Sequence, residues 1–232
     1  MKRFWLILLW LVGLILLIYL LRYPIDTIFT TTKGTTTPLA GKVIVLDPGH
    51  GGVDGGADYE DIQEKSIAFQ TTLFLRDYLQ GAGATVYLTR EKDVDLAPTD
   101  MKGYSKRKSY DIRKRVDFVN EKEADLFISV HLNSIPNNQW RGAQAFYYPN
   151  DENKELAMEI QKRMNESANK ERSALPIQNI YILKHTDPVG ALLEIGFLSN
   201  SEERSRLINE DYQREMASSI YEGIVEYLVQ KD

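Results

Sequence analysis

From residue 42 onward, short β-branched apolar runs alternate with stretches of helical periodicity, and this alternation leaves few folds open. Lys42-Val43-Ile44-Val45-Leu46-Asp47 is a buried-strand pattern that ends in Pro48-Gly49. Ile67, Thr71, Phe74, Leu75, Tyr78 and Leu79 follow at helical spacing, closed by Gly81 and Gly83. A strand at 85–89, a helix marked by Ile112, Val116 and Val119, and a strand at 126–130 come next. Ala143 to Tyr148 reads as a strand, and Leu156, Ile160 and Met164 mark a helix. Strands at 180–183 and 191–194 precede a last helix carrying Met216, Ile220, Ile224, Tyr227 and Leu228. The pattern predicts a three-layer α/β/α domain with a mostly parallel central sheet over residues 41–232.

The chain ahead of it is different. Phe4 to Leu21 contains no charge, a length that comes close to spanning a hydrocarbon core of about 30 Å. No small-residue cleavage pattern follows, so residues 1–22 are expected to be an uncleaved signal anchor, spanning through 4–21. Lys2 and Arg3 precede the run, which predicts a cytoplasmic N-terminus and places the domain that follows on the extracytoplasmic side. Residues 23–40, crowded with threonines around Lys33 and Gly34, read as a linker.

Composition narrows the function. The 232 residues carry a net charge of −5, which disfavours a nucleic-acid partner. Cysteine is absent, so disulfides, thiolate metal sites and cysteine nucleophiles are excluded. The three histidines are His50, His131 and His185, and any metal site must therefore lean on carboxylates too.

In a sheet of this kind reactive residues sit where strands run out into loops. His50 follows the first strand inside a glycine-rich turn, His131 ends the third, and Glu194 ends a late apolar strand. A buried strand that finishes in a carboxylate needs a reason, because an unpaired buried charge is costly. Neither GxGxxG nor GxxxxGK[ST] is present, so the glycines do not mark a phosphate loop. Two imidazoles and one carboxylate with an open fourth position form the donor set of catalytic zinc. The carboxylate could be Glu64, favoured in its ionised form at a helix N-terminus, or Asp54, Asp58, Glu60 or Asp61.

From Lys42 to its C-terminus the chain resembles the zinc-dependent N-acetylmuramoyl-L-alanine amidases of the amidase-3 type, which cut peptidoglycan. The resemblance is carried by Leu46-Asp47-Pro48-Gly49-His50-Gly51-Gly52, Glu64-Lys65, Leu88-Thr89-Arg90, the segment 124–134 ending in His131-Leu132-Asn133-Ser134, and Leu193-Glu194-Ile195-Gly196-Phe197. Asp95-Leu96-Ala97-Pro98 and Lys102-Gly103-Tyr104-Ser105 bring it closer to the germination-specific, membrane-anchored branch from spore-forming bacteria. The resemblance implies His50, Glu64 and His131 as zinc ligands and Glu194 as catalytic acid–base. It also implies a role in spore cortex, as the first step toward muramic-δ-lactam, at a forespore or mother-cell membrane facing the cortex. Asn133 is expected either to orient substrate or to cap a loop. The resemblance also leaves room for an accessory protein as a partner.

The remaining features read more plainly. His185 is a loop histidine, and Arg90 and Arg115 are expected to pair with Asp93 or Asp125. Tyr104 and Tyr148 either line a glycan groove or pack in the core. The basic run from Lys102 to Arg115 is a solvated helix face that could steer an anionic glycan or meet a lipid headgroup. Two rival classes are another zinc peptidase of the wall, for which HExxH and HxxE spacings are missing, and a non-catalytic wall-binding module.

Overall fold

A computed structural model of the protein describes residues 2–22 and 37–231. The chain divides into two compact units, Met1–Thr36 and Thr37–Asp232. In the first, Lys2–Arg22 forms helix α1. Among the described residues no helix is long and apolar enough to cross a membrane. The expected single-pass anchor, and the extracytoplasmic placement that depended on it, are therefore corrected. Most of the expected threonine-rich linker, 23–36, lies outside the described residues.

The second unit is an α/β domain. In chain order it contains β1 (Val43–Pro48), β2 (Asp58–Tyr59), β3 (Ile62–Gln63), α2 (Glu64–Gly81), β4 (Thr85–Leu88), α3 (Tyr104–Glu121) and β5 (Leu126–Asn133). There follow β6 (Gln144–Tyr147), α4 (Asp151–Ala168), β7 (Leu175–Pro176), α5 (Tyr181–His185), β8 (Val189–Phe197), α6 (Ser201–Leu207) and α7 (Glu210–Val229). The six-stranded sheet has the order β4-β1-β5-β8-β6-β7. Strands β4, β1, β5 and β8 are parallel, and β6 runs antiparallel to β8. The mostly parallel three-layer fold expected from the alternation is present.

The period-2 alternation of each strand sorts its side chains between two cores. Ile44, Leu46, Ile128, Val130 and Leu193 join the larger core with residues of α2, α4 and α7. Val45, Phe127 and Leu192 point to the opposite face, where they pack with Val116 and Val119 of α3 and Ile182 and Leu183 of α5. Because both faces are covered, the central strands read as continuous apolar runs. Leu39, fully buried, belongs to the larger core, and its amide donates to the Ala82 carbonyl.

One expected strand is a helix. Residues 181–183 fall in α5 with Ile180 as its N-cap, and the sheet position beside β6 is taken by Leu175–Pro176. A four-residue apolar run has no period of its own, and here the demand to cap the smaller core with Ile182 and Leu183 decides its form.

Candidate active site

The parity that divides the cores also selects the site. Asp47, Ser129, His131 and Glu194 lie at odd and even positions matching Val45, Phe127 and Leu192, so their side chains leave the sheet on the α3 side. His131 and Glu194 are register partners across β5 and β8.

His50, Glu64 and His131 converge, with one donor atom from each lying within 4.8 Å of the others. Glu64 Oε1 lies 3.1 Å from His50 Nε2 and 2.8 Å from His131 Nδ1. The two imidazole rings meet edge to face, with centroids 4.8 Å apart. Among the described residues this is the group of histidines and acids arranged to hold a metal ion. Glu64 is the first residue of α2, and its carboxylate accepts from the Ala57 amide at 2.7 Å and the Leu132 amide at 2.9 Å. Burial works against its charge, but the two histidines hold its pKa well below the usual carboxylate range.

The glycine-rich turn makes this convergence sterically possible. A Cβ on Gly49 would collide with the His131 ring. At Gly56, with φ +73°, a Cβ would sit 2.5 Å from Glu64 Oε2 and 2.6 Å from His50 Cδ2. His50 itself holds a left-handed φ of 60°, a strained conformation for a residue with a Cβ.

Two arginines clamp that turn through its carbonyls. Arg115 donates to the carbonyls of Pro48 at 2.9 Å and His50 at 2.5 Å, and Arg90 donates to those of Pro48 and Gly49, each at 3.0 Å. Neither arginine has the expected partner. Arg115 pairs with Asp47 at 2.8 Å and Asp111 at 2.9 Å, whereas Asp93 takes Lys65 and Asp125 accepts from the Val43 amide. Asp47 also accepts from Thr89 and Ser129, each at 2.6 Å. Although burial disfavours its charge, Arg115 and these hydroxyls lower Asp47 to about 2.

Asp54, one of the acids left open beside Glu64, lies behind His50, its Oδ2 2.9 Å from Nδ1. Its carboxylate is held in turn by Lys108 at 2.9 Å, the Tyr104 hydroxyl at 2.8 Å and the Gly56 amide at 3.1 Å. Burial opposes its charge, yet His50 and Lys108 keep its pKa far below the ordinary value. Burial lowers His50 too, but Asp54 and Glu64 outweigh it and raise the group to about 9. Asp58 and Glu60 are exposed around the β2–β3 hairpin.

Glu194 is different in kind. Its Oε2 is shielded from solvent and has no hydrogen-bond partner among the described residues. Burial, opposed in part by His131, pushes its pKa up to about 7, which suits a group that exchanges protons near neutrality. Asn133 ends β5 beyond a register shift that follows His131, and its carbonyl accepts from the Leu198 amide at 2.8 Å. His185 lies elsewhere, at the end of α5 with its ring 4.3 Å from that of Tyr181. Tyr148 packs against the smaller core. A cleft of about 340 Å³ opens over the site, lined by His50, Asp54, Lys108, Ser109, Ile112 and His131 among others. The roles of Asp54 and Lys108 around His50 escaped the sequence, because only the fold sets α3 beside the turn.

The chain is similar to proteins of known family. The family model described as N-acetylmuramoyl-L-alanine amidase matches residues 44–226. The germination-specific N-acetylmuramoyl-L-alanine amidase of Bacillus subtilis is 46% identical over 223 residues, covering 95% of this chain and 94% of the relative. Among solved structures, the CwlD amidase from Clostridioides difficile in complex with the GerS lipoprotein is similar with a TM-score of 0.80 and 35% identity, over 82% of this chain and 100% of that one. The catalytic domain of CwlV, an N-acetylmuramoyl-L-alanine amidase from Bacillus (Paenibacillus) polymyxa, gives 0.71 and 29%, over 81% and 98%. The chain thus belongs to the N-acetylmuramoyl-L-alanine amidase family and is a peptidoglycan amidase akin to the germination-specific enzymes.

Proposed function

We propose that the chain hydrolyses the amide between N-acetylmuramic acid and L-alanine as a zinc enzyme, with His50, Glu64 and His131 as ligands and Glu194 as acid–base. The observation that carries this reading is the convergence of those three donors one strand away from a carboxylate oxygen with no partner among the described residues. Two imidazole nitrogens and one carboxylate oxygen are a donor set suited to zinc with a position left open for water or substrate. When bound, zinc supplies a Lewis acid that polarises the scissile carbonyl and acidifies water.

The chain's own residues do the rest. Glu194, poised near neutrality, takes a proton from the attacking water and passes it to the departing L-alanine nitrogen. Asp54 fixes the ring of His50 from behind, leaving Nε2 for the metal. Asn133, at the end of the strand that carries His131, orients the substrate. Residues 41–232 form the catalytic domain, and the substrate is cortex peptidoglycan, where removal of the stem peptide is the first step toward muramic-δ-lactam. The lipoprotein partner of the Clostridioides difficile neighbour supports an accessory lipoprotein for this chain as well.

Mass spectrometry of purified cortex peptidoglycan, digested with the chain before and after chelation, tests the proposal. Release of intact stem peptides that stops on chelation and returns with zinc is expected. Cleavage at another bond, or cleavage indifferent to chelation, would overturn it.

A further inference from the structure

The catalytic cleft does not end at the metal-binding residues. Ser109 of α3 lines both that cleft and an adjoining groove, whose other walls include Met101, Lys106, Tyr110 and Arg113. The groove residues recur every three to four positions, so they share one face of α3 next to the face that carries Lys108 and Ile112. Most cations of the basic run are already committed. Arg107 pairs with Asp95, Lys108 with Asp54, Lys114 with Asp117, and Arg115 is buried on Asp47 and Asp111. Lys106 and Arg113 are exposed and have no such pairing among the described residues.

Two unpaired cations in a groove that opens from the reaction site, on a protein of net charge −5, form a local field of one sign. They lie seven positions apart on the helix, about 10 Å along its axis. An extended peptide covers that distance in about three residues. A short peptide with carboxylates about three residues apart therefore matches the groove, whereas substrate glycan, whose muramic carboxyls are still tied up as amides, carries no charge to offer it.

We propose that this face of α3 is a subsite for the leaving stem peptide, in which Lys106 and Arg113 bind its free carboxylates and make the enzyme selective for unamidated stems. This rests on the amidase reading above and adds the direction in which the peptide leaves the cleft.

The test uses two synthetic N-acetylmuramoyl peptides that differ only in whether the peptide carboxylates are free or amidated. Steady-state kinetics are measured for the wild type, for Lys106→Gln with Arg113→Gln, and for a charge-matched control, Lys154→Gln with Lys162→Gln on α4. The wild type and the control should show a KM about tenfold lower for the free acid, with similar kcat, and a preference that shrinks as salt is added. The Lys106/Arg113 variant should retain its melting temperature and kcat but treat both substrates alike. A preference that survives in that variant, or none in the wild type, would overturn the subsite while leaving the amidase reading intact. Release of peptide from neither substrate by the wild type would overturn both.

Discussion

His131 and Glu194 are register partners on adjacent parallel strands, which sets an imidazole and a solvent-shielded carboxylate oxygen side by side on one face of the sheet. Parallel pairing holds the two at a fixed separation without a loop between them. Under the proposed mechanism the pair divides its labour, one residue facing the metal and the other left free to move protons.

Glu194→Gln keeps the size and hydrogen-bonding reach of the side chain but cannot take a proton. Turnover should fall about 10²–10⁴-fold. Zinc content, measured by elemental analysis, should be unchanged, and thermal stability should hold or rise, because burial makes this carboxylate costly. Loss of zinc would make Glu194 a ligand instead.

Glu64→Ala should abolish metal binding and activity together. The change removes the oxygen that lies between His50 and His131, and it strands the amides of Ala57 and Leu132 that donate to it. Full zinc occupancy in this variant would refute the ligand assignment. His50→Ala and His131→Ala should behave in the same way.

Asp54→Asn acts one step further out. The neutral amide holds His50 less firmly from behind and gives up the pairing with Lys108. Zinc affinity, read by competition with a chelator, should weaken about 10–100-fold. The fold should persist, since neither hydrophobic core includes Asp54.

Asp47 links pH to stability. Its pKa falls from 3.8 to about 2 in the folded chain, so it stabilises the native state above pH 4 and loses that contribution as pH falls from about 4 toward 2. The shift corresponds to about 2 kcal/mol. Asp47→Asn also leaves Arg115 short of a partner and should destabilise the protein by about 3 kcal/mol at neutral pH. Urea unfolding from pH 7 down to pH 3 should show the gap between wild type and variant narrowing as acid is added. A constant gap would show that the Asp47 charge contributes nothing.

Local sequence determined the parallel strands β1, β4, β5 and β8 and the helices α2, α3, α4 and α7, because buried parallel strands must be continuous apolar runs and their crossover helices must carry a period of 3.6. It also marked His50, His131 and Glu194, since a polar side chain at the end of an apolar strand stands out without any knowledge of its neighbours. The choice of Glu64 over the other nearby acids came from the family resemblance, and its meeting with both histidines is a matter of three-dimensional packing. Only the tertiary structure paired Arg115 with Asp47 and Asp111 in place of Asp125, set Asp54 behind His50, and left Lys106 and Arg113 unspent. The same limit applies to 180–183, where a short apolar run became α5 because the smaller core needed a cover. Strand and helix periods are properties of neighbours along the chain, whereas ion pairing and steric fit depend on which distant segments the sheet order brings together.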